Sequence, residues 1–237
     1  MIYSSILSKL IERKSISTFS VDISSDYILG LELLTIFAKT VKELKIPHNF
    51  FNAIELPMDL DSLIIMDNQM TDVMDFSFDK FTLTITSNFW LWKQILIEKF
   101  IRVNSNVSNF THLIFKSKTN HSTVFADVNP VFLIKCFPSL EELQFDLELT
   151  PFVNLDNRFT SDEFEEILIK LAQTFQIMPS VPSKMIYNIS GKDIPEFWFL
   201  DRYYNRIFQP FSKVKHFSKK FLFNNSRNTV FEIRITY

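Results

Sequence analysis

The chain of 237 residues contains only two glycines and one cysteine. Proteins average about 7% glycine, so this sequence lacks the closely spaced glycines that dinucleotide-binding, phosphate-binding and kinase loops require. The single Cys136 cannot form an internal disulfide, which is typical of a reducing compartment. No run of 18 apolar residues is present, so the sequence predicts no membrane span. We expect an intracellular protein, cytoplasmic or nuclear, without a membrane partner.

The chain also lacks a large excess of either charge, because 25 basic residues stand against 27 acidic ones. The distribution is uneven, since residues 199–237 carry eight Lys or Arg against two Asp or Glu, a net of +6 that leaves −8 for the rest. A basic end can bind an acidic surface or nucleic acid. The contacts of this alternative function would be Arg202, Arg206, Lys213, Lys215, Lys219 and Lys220. We favour a solvated face here, because phenylalanines lie between the lysines, and nucleic acid is not the expected partner.

Catalytic and metal-binding motifs are missing as well. The sequence has four scattered histidines: His48, His112, His121 and His216. None has a histidine at i+4 or a nearby cysteine pair, so tetrahedral zinc spacing is absent. Cys136 lies in the apolar string VFLIKCF, which predicts a buried, inert thiol, and no serine lies in a G-x-S-x-G motif. We expect a protein that is not an enzyme and has no cofactor or metal.

What the sequence does contain is a short apolar pattern that recurs every 19 to 30 residues. LDSLIIMDNQM (60–70) and VKELKIPHNFF (41–51) match L-x-x-L-x-L-x-x-N-x-L at every fixed position, with apolar replacements. KFTLTITSNFW (80–90) matches except at its first position, Lys80. FTHLIFKSK (110–118) and LEELQFDLE (140–148) keep only the three apolar strand positions. Weaker copies at the two ends are ISTFSVDIS (16–24) and PSKMIYNIS (182–190).

The pattern predicts the fold class. Each copy is one short strand that cannot bury its apolar residues alone, so parallel stacking of the copies builds a continuous core. The asparagines Asn49, Asn68 and Asn88 would satisfy backbone groups at the following turns. We therefore predict an α/β fold, an irregular leucine-rich-repeat-like solenoid with short parallel strands over 1–190. A C-terminal capping segment, 191–237, would pack on it as part of one globular unit. The alternative is an α+β domain with a mostly antiparallel sheet.

Helices are expected between the strands, from apolar spacing and from prolines at first helical positions. The predicted helices are 26–40, 89–103, 130–136, 161–177 and 195–207. At the C-terminus, KKFLF (219–223) and NTVFEIRITY (228–237) flank the turn residues NNSR, and the second segment alternates apolar and polar residues. This alternation predicts a hairpin that caps the solenoid.

The short strand–helix units, the phrase FPSLEELQF (137–145), 27 phenylalanines and the scarcity of glycine together resemble the leucine-rich-repeat-like, F-box-associated regions of nematode proteins. The resemblance covers residues 16–150. It implies a repeat region that selects a protein partner, and it implies ubiquitin-ligase components among the partners, since an N-terminal F-box docks the ligase scaffold in such families. No F-box is recognisable in the fifteen residues before the first copy.

Side-chain alternation along the strands predicts a binding surface on the concave face. If Leu63 and Ile65 point inward, their neighbours point outward. The predicted partner-binding residues are Ile64, Met66, Thr84, His112, Ile114, Lys116, Gln144 and Asp146. An apolar centre with charged edges is typical of a protein interface. We therefore predict a non-catalytic protein–protein recognition module, although the sequence leaves open whether another segment of the chain covers this face.

Overall fold

The computed structural model describes residues 16–21, 27–55, 57–66, 73–87, 93–104, 107–120, 129–150, 161–177, 182–191, 212–217, 220–224 and 229–236. The strands in this part of the chain are β1 (Thr18–Ser20), β2 (Glu43–Pro47), β3 (Ser62–Met66), β4 (Val73–Asp79), β5 (Thr82–Ser87), β6 (His112–Asn120), β7 (Glu142–Thr150), β8 (Lys184–Gly191), β9 (Ser212–Phe217), β10 (Lys220–Asn224) and β11 (Val230–Thr236). The α-helices are α1 (Tyr27–Phe37), α2 (His48–Ala53), α3 (Lys93–Val103), α4 (Pro130–Cys136) and α5 (Ser161–Ile177).

All eleven strands belong to one open sheet in the order β1-β2-β3-β4-β5-β6-β7-β8-β11-β10-β9. Six of the ten neighbouring pairs are parallel. The fold is therefore α/β with a mostly parallel sheet, as predicted, and the antiparallel alternative is wrong. No helix in the described ranges has the length and apolar character that crossing a membrane requires.

The helices lie on one face of the sheet. Strands β5 to β8 follow one another in chain order, so right-handed crossovers bring α3, α4 and α5 to the same side. Aromatic contacts show this packing: Phe100 of α3 stacks on Phe76 of β4 at 4.3 Å between ring centroids. Likewise Phe175 of α5 contacts Tyr187 of β8 at 5.4 Å. The phenylalanine-rich core thus fills the space between one sheet face and the helices.

The strand prediction is confirmed for every copy of the pattern, since β1, β2, β3 and β5 lie within the predicted segments and β6, β7 and β8 begin in theirs and end one or two residues beyond. Strands β2 and β3 pair in parallel with Leu44 opposite Leu63, as the repeat requires. The prediction that β3 and β5 pair directly is wrong, because β4 lies between them and is antiparallel to both. Lys80 does not begin a repeat but lies in the β4–β5 turn at φ 44°, and the exposed Phe81 follows it.

The inserted β4 also shifts the register of the pattern. In the second block of parallel strands Leu83, Leu113 and Leu143 are opposite one another. Across β4, however, Leu63 lines up through Phe76 with Ile85 and not with Leu83. The repeats therefore form two blocks, β1–β3 and β5–β8, which are offset by two residues.

The helix predictions are confirmed for α1, α3, α4 and α5. The α4 helix begins as expected, with Pro130 in its first turn and the Asn129 side chain accepting a hydrogen bond from the Val131 amide at 2.8 Å. The short helix α2 was not predicted, and Asn49 lies within it rather than at the expected turn. The predicted helix 195–207 and the turn residues Asn68 and Asn88 lie outside the described residues.

The C-terminal hairpin is confirmed, since β10 pairs antiparallel with β11. Two features were not expected: β9 adds another antiparallel strand, and β11 pairs in parallel with β8 over seven register positions. The core side chains of β11, Phe231 and Ile233, are fully buried. The C-terminal strands thus continue the sheet of the preceding strands.

Candidate functional site

The sheet face opposite the helices is here called the open face. It is formed by the side chains that alternate with the core positions along each strand. One line of register partners across this face has a mixture of apolar, polar and charged side chains, and we call it the central row. Its members from β3 to β11 in the sheet order are Ile64, Asp75, Thr86, Lys116, Asp146, Asn188 and Arg234.

The predicted partner-binding residues lie on strands of the open face. Thr84, Ile114 and Gln144 are direct register neighbours, and His112 lies at the start of β6. Ile64, Lys116 and Asp146 belong to the central row. The half-buried ones are Ile64, Thr84, His112, Ile114, Gln144 and Asp146, whereas Lys116 is exposed. Met66 differs from the prediction, because it is 4% exposed and offers almost no surface to a partner.

A groove of about 940 Å³ runs from β4 to β11 where the central row crosses the strands. Core-side positions line it as well as open-face ones, and these are Ser87, Ser117, Leu147 and Ile189. Its lining includes Asp75, Thr86, Lys116, Lys118, Asp146, Glu148, Asn188, Ser190 and Arg234. The lining positions lie in the carboxyl-terminal halves of the parallel strands, the region where open α/β sheets commonly bind ligands. The groove therefore brings Lys116 and Asp146 together with residues that the sequence did not single out.

Most of the charged side chains in the groove form hydrogen bonds or ion pairs with neighbouring side chains. The Asp146 carboxylate accepts hydrogen bonds at Oδ1 from Gln144 Nε2 at 2.9 Å and from Asn188 Nδ2 at 2.5 Å. Lys118 forms an ion pair with Glu148 at 3.2 Å across β6 and β7. Arg234 donates from Nε to Glu232 Oε1 at 2.7 Å. These contacts fix the side chains on the β7, β8 and β11 side of the groove.

Asp75 is in a different situation. Its Oδ1 is buried and has no hydrogen-bond donor among the described residues. Burial raises the pKa of the Asp75 carboxyl above its ordinary value, because desolvation disfavours the charged form. Thr86 separates Asp75 from Lys116 in the central row.

Accessibility varies along the open face. Ile186 of β8 and Glu232 of β11 point to this face by alternation, yet they are only 2% and 3% exposed. In contrast, Ile64, Thr84, Ile114 and Gln144 keep part of their surface accessible. Among the described residues, the face thus has accessible side chains from β3 to β7 and again at Asn188, Ser190 and Arg234, with Ile186 and Glu232 buried.

The other candidate groups do not converge on one site. The described residues hold no group of three His, Cys, Asp or Glu side chains placed to bind a metal. His112 is hydrogen-bonded through Nδ1 to Thr111 Oγ1 at 2.9 Å, and burial lowers the pKa of His48. Burial, with the Glu98 charge, raises the pKa of the Cys136 thiol. This residue is half-buried and not fully buried as the sequence predicts.

The basic C-terminal residues can be located only in part. Arg202, Arg206 and Lys219 lie outside the described residues, as does His121. Lys213 and Lys215 are on β9 and Lys220 is on β10, at the far edge of the sheet from β1.

Sequence reasoning missed Asp75, Asn188 and Arg234. Asp75 was missed because β4 was not recognised, although VMDFSFD alternates Met74, Phe76 and Phe78 with polar residues and so has the period of a strand. Asn188 could have been predicted by extending the alternation of inward and outward side chains to the last copy of the pattern.

Comparison of this chain with protein-family models, with curated proteins and with solved structures finds no match.

Proposed function

We propose that this protein is a non-catalytic recognition module that binds another protein on the open face. The observation that carries the proposal is that Ile64 and Ile114, both half-buried, keep accessible surface on the sheet face opposite the described helices. Mostly parallel sheets usually have helices on both faces, whereas the described helices of this chain lie on one face. Two isoleucines with charged neighbours on the other face have the composition of an interface.

The arrangement of strands and helices supports the interpretation of the fold as leucine-rich-repeat-like. Strands β5, β6, β7 and β8 alternate with α3, α4 and α5 and stack in chain order. On this proposal the two blocks of strands form an irregular solenoid, and the β10–β11 hairpin caps it. The resemblance to F-box-associated regions then suggests a part that selects substrates for a ubiquitin ligase.

The test is affinity capture with the full chain, followed by mass spectrometry. Wild type is compared with Ile64→Asp plus Ile114→Asp, which places two charges at the apolar centre. The matched control is Ile28→Asp plus Ile95→Asp, since these isoleucines are 70% and 45% exposed on α1 and α3. We expect the open-face variant to lose partners that both wild type and the control retain, while circular dichroism shows that all three are folded.

A folded open-face variant with an unchanged partner list would contradict the proposal. Recovery of a cullin-type ligase scaffold by wild type would support the adaptor role in particular.

A further inference from the structure

Two charges of opposite sign in the central row lack a partner among the described residues. They are Asp75 on β4 and Lys116 on β6. Asp146, Lys118, Glu148 and Arg234, the other charged residues of the groove, have ion pairs or hydrogen bonds. A partner that enters the groove therefore meets a half-buried acidic residue and an exposed basic residue that are not paired with other described residues.

Each of these charges lies beside an accessible isoleucine. Ile64 is the register partner of Asp75 on the neighbouring strand. Ile114 lies two residues before Lys116 and so points to the same face of β6. The open face thus presents an acidic group beside one isoleucine and a basic group beside another, and the two isoleucines lie outside the lining of the groove.

The distance between the two charges limits the conformation of the partner. Asp75 and Lys116 are two strand spacings apart, which is about 10 Å. A β-strand places side chains of one side about 7 or 13 Å apart. A polyproline II segment has three residues per turn and rises about 3.1 Å per residue, so residues i and i+3 point the same way about 9 Å apart.

We propose, building on the function proposed above, that the groove binds an extended, polyproline II-type segment of a partner protein. A Lys or Arg of this segment contacts Asp75, and an Asp or Glu three positions away contacts Lys116. Apolar side chains of the segment cover Ile64 and Ile114.

The first experiment is selection from a random dodecapeptide library displayed on phage, with the full chain immobilised. We expect the enriched peptides to carry a basic and an acidic residue three positions apart, with proline and apolar residues around them. Enrichment of peptides without this charge pair would overturn the inference. So would a failure to enrich any peptide above the Ile64→Asp plus Ile114→Asp background.

The second experiment measures binding of the enriched peptides by fluorescence polarisation. Asp75→Asn and Lys116→Gln should each weaken binding about tenfold, the effect of losing one charge-assisted hydrogen bond. The matched controls are Asp79→Asn, on the same strand and face but outside the groove, and Lys135→Gln, exposed on α4. Both controls should bind as wild type does. Asp75→Lys should prefer a peptide in which the basic residue has been replaced by Glu.

The outcomes separate this inference from the proposed function. If Asp75→Asn and Lys116→Gln leave peptide binding unchanged while the two isoleucine substitutions abolish capture of partner proteins, the charge pair is wrong and the proposed function stands. If the isoleucine substitutions change neither peptide binding nor protein capture, both are wrong.

Discussion

Asp75 places a carboxylate in the half-buried middle of the sheet, where the fold does not stabilise its charge. Its pKa is raised by burial. A carboxyl group whose folded-state pKa lies above its unfolded value binds protons more tightly in the native state. Its charge therefore lowers stability at pH values above the folded-state pKa, and this cost disappears as the pH falls below the unfolded value of about 3.9.

We expect Asp75→Asn to raise the thermal midpoint at pH 7. The increase should be small, about 1–3 °C, because the carboxyl is partly exposed and water screens it. The difference from wild type should shrink as the pH is lowered, since protonation removes the same charge from the wild-type protein. Circular dichroism melting of wild type, Asp75→Asn and Asp79→Asn between pH 3.5 and 8 measures it.

Asp79 is the control because it lies on the same strand but is exposed. A lower midpoint of Asp75→Asn at pH 7 would show that the carboxylate stabilises the fold. The Asp75 carboxylate would then already be stabilised within the fold, and the proposed contact with a basic residue of a partner would lose its main support.

At the scale of single elements, α4 is a helix of seven residues that depends on how it begins. Asn129 caps the first turn through its side-chain oxygen, which accepts from the Val131 amide. Isolated helices of this length are marginal in water, so the cap and the packing of Leu133 in the core must stabilise it.

Asn129→Ala should therefore lower the free energy of unfolding by about 1 kcal/mol. Asn129→Ser keeps a side-chain acceptor at the cap and should lose less than half of that. Urea denaturation followed by tryptophan fluorescence or circular dichroism gives both values. Equal losses in the two variants would mean that the hydrogen bond of the cap does not stabilise α4.

The elements that could be predicted from the sequence are those with many apolar residues at regular spacing or with a distinct first turn. Helix α5 shows this, with Leu168, Leu171 and Phe175 buried along one stripe. Strand β4 could not be found with the repeat template, because VMDFSFD has the alternation of a strand but not the L-x-x-L-x-L spacing. As a result Lys80 was assigned to a repeat, although it lies in a turn.

The candidate site was predicted in part for a physical reason. Insertion of β4 shifts the two blocks of strands by two residues, and two is the side-chain period of a strand, so each side chain keeps its face. Ile64, Ile114 and Lys116 therefore point to the predicted side. Their neighbours are different, because Ile64 is now aligned with Lys116 through Asp75 and Thr86. The burial of Met66 and the pairing of charges depend on tertiary contacts that a linear pattern does not contain.

At the scale of the whole molecule, the sheet and one core cluster extend from Val21 near the first strand to Ile233 in the last. Strand β11 returns to pair with β8, and Phe231 stacks on Phe175 of α5 at 4.2 Å between ring centroids. The C-terminal strands thus share side-chain contacts with the strand–helix units. The organisation as one globular unit, with residues 191–237 packed on the preceding part, stays a prediction.

Phe231→Ala should then destabilise the whole chain and not only its C-terminus. Phe231 is fully buried between α5 and the sheet, and removal of such a ring costs about 3–5 kcal/mol in lost burial and cavity formation. The control is Phe81→Ala, because Phe81 is 49% exposed in the β4–β5 turn, where the Lys80 ammonium lies 4.9 Å from its ring centroid. We expect a single urea transition, with its midpoint far lower in Phe231→Ala and nearly unchanged in Phe81→Ala. Two separate transitions in Phe231→Ala, with the first confined to a minor part of the circular dichroism signal, would show instead that the C-terminal strands unfold independently of the repeat units.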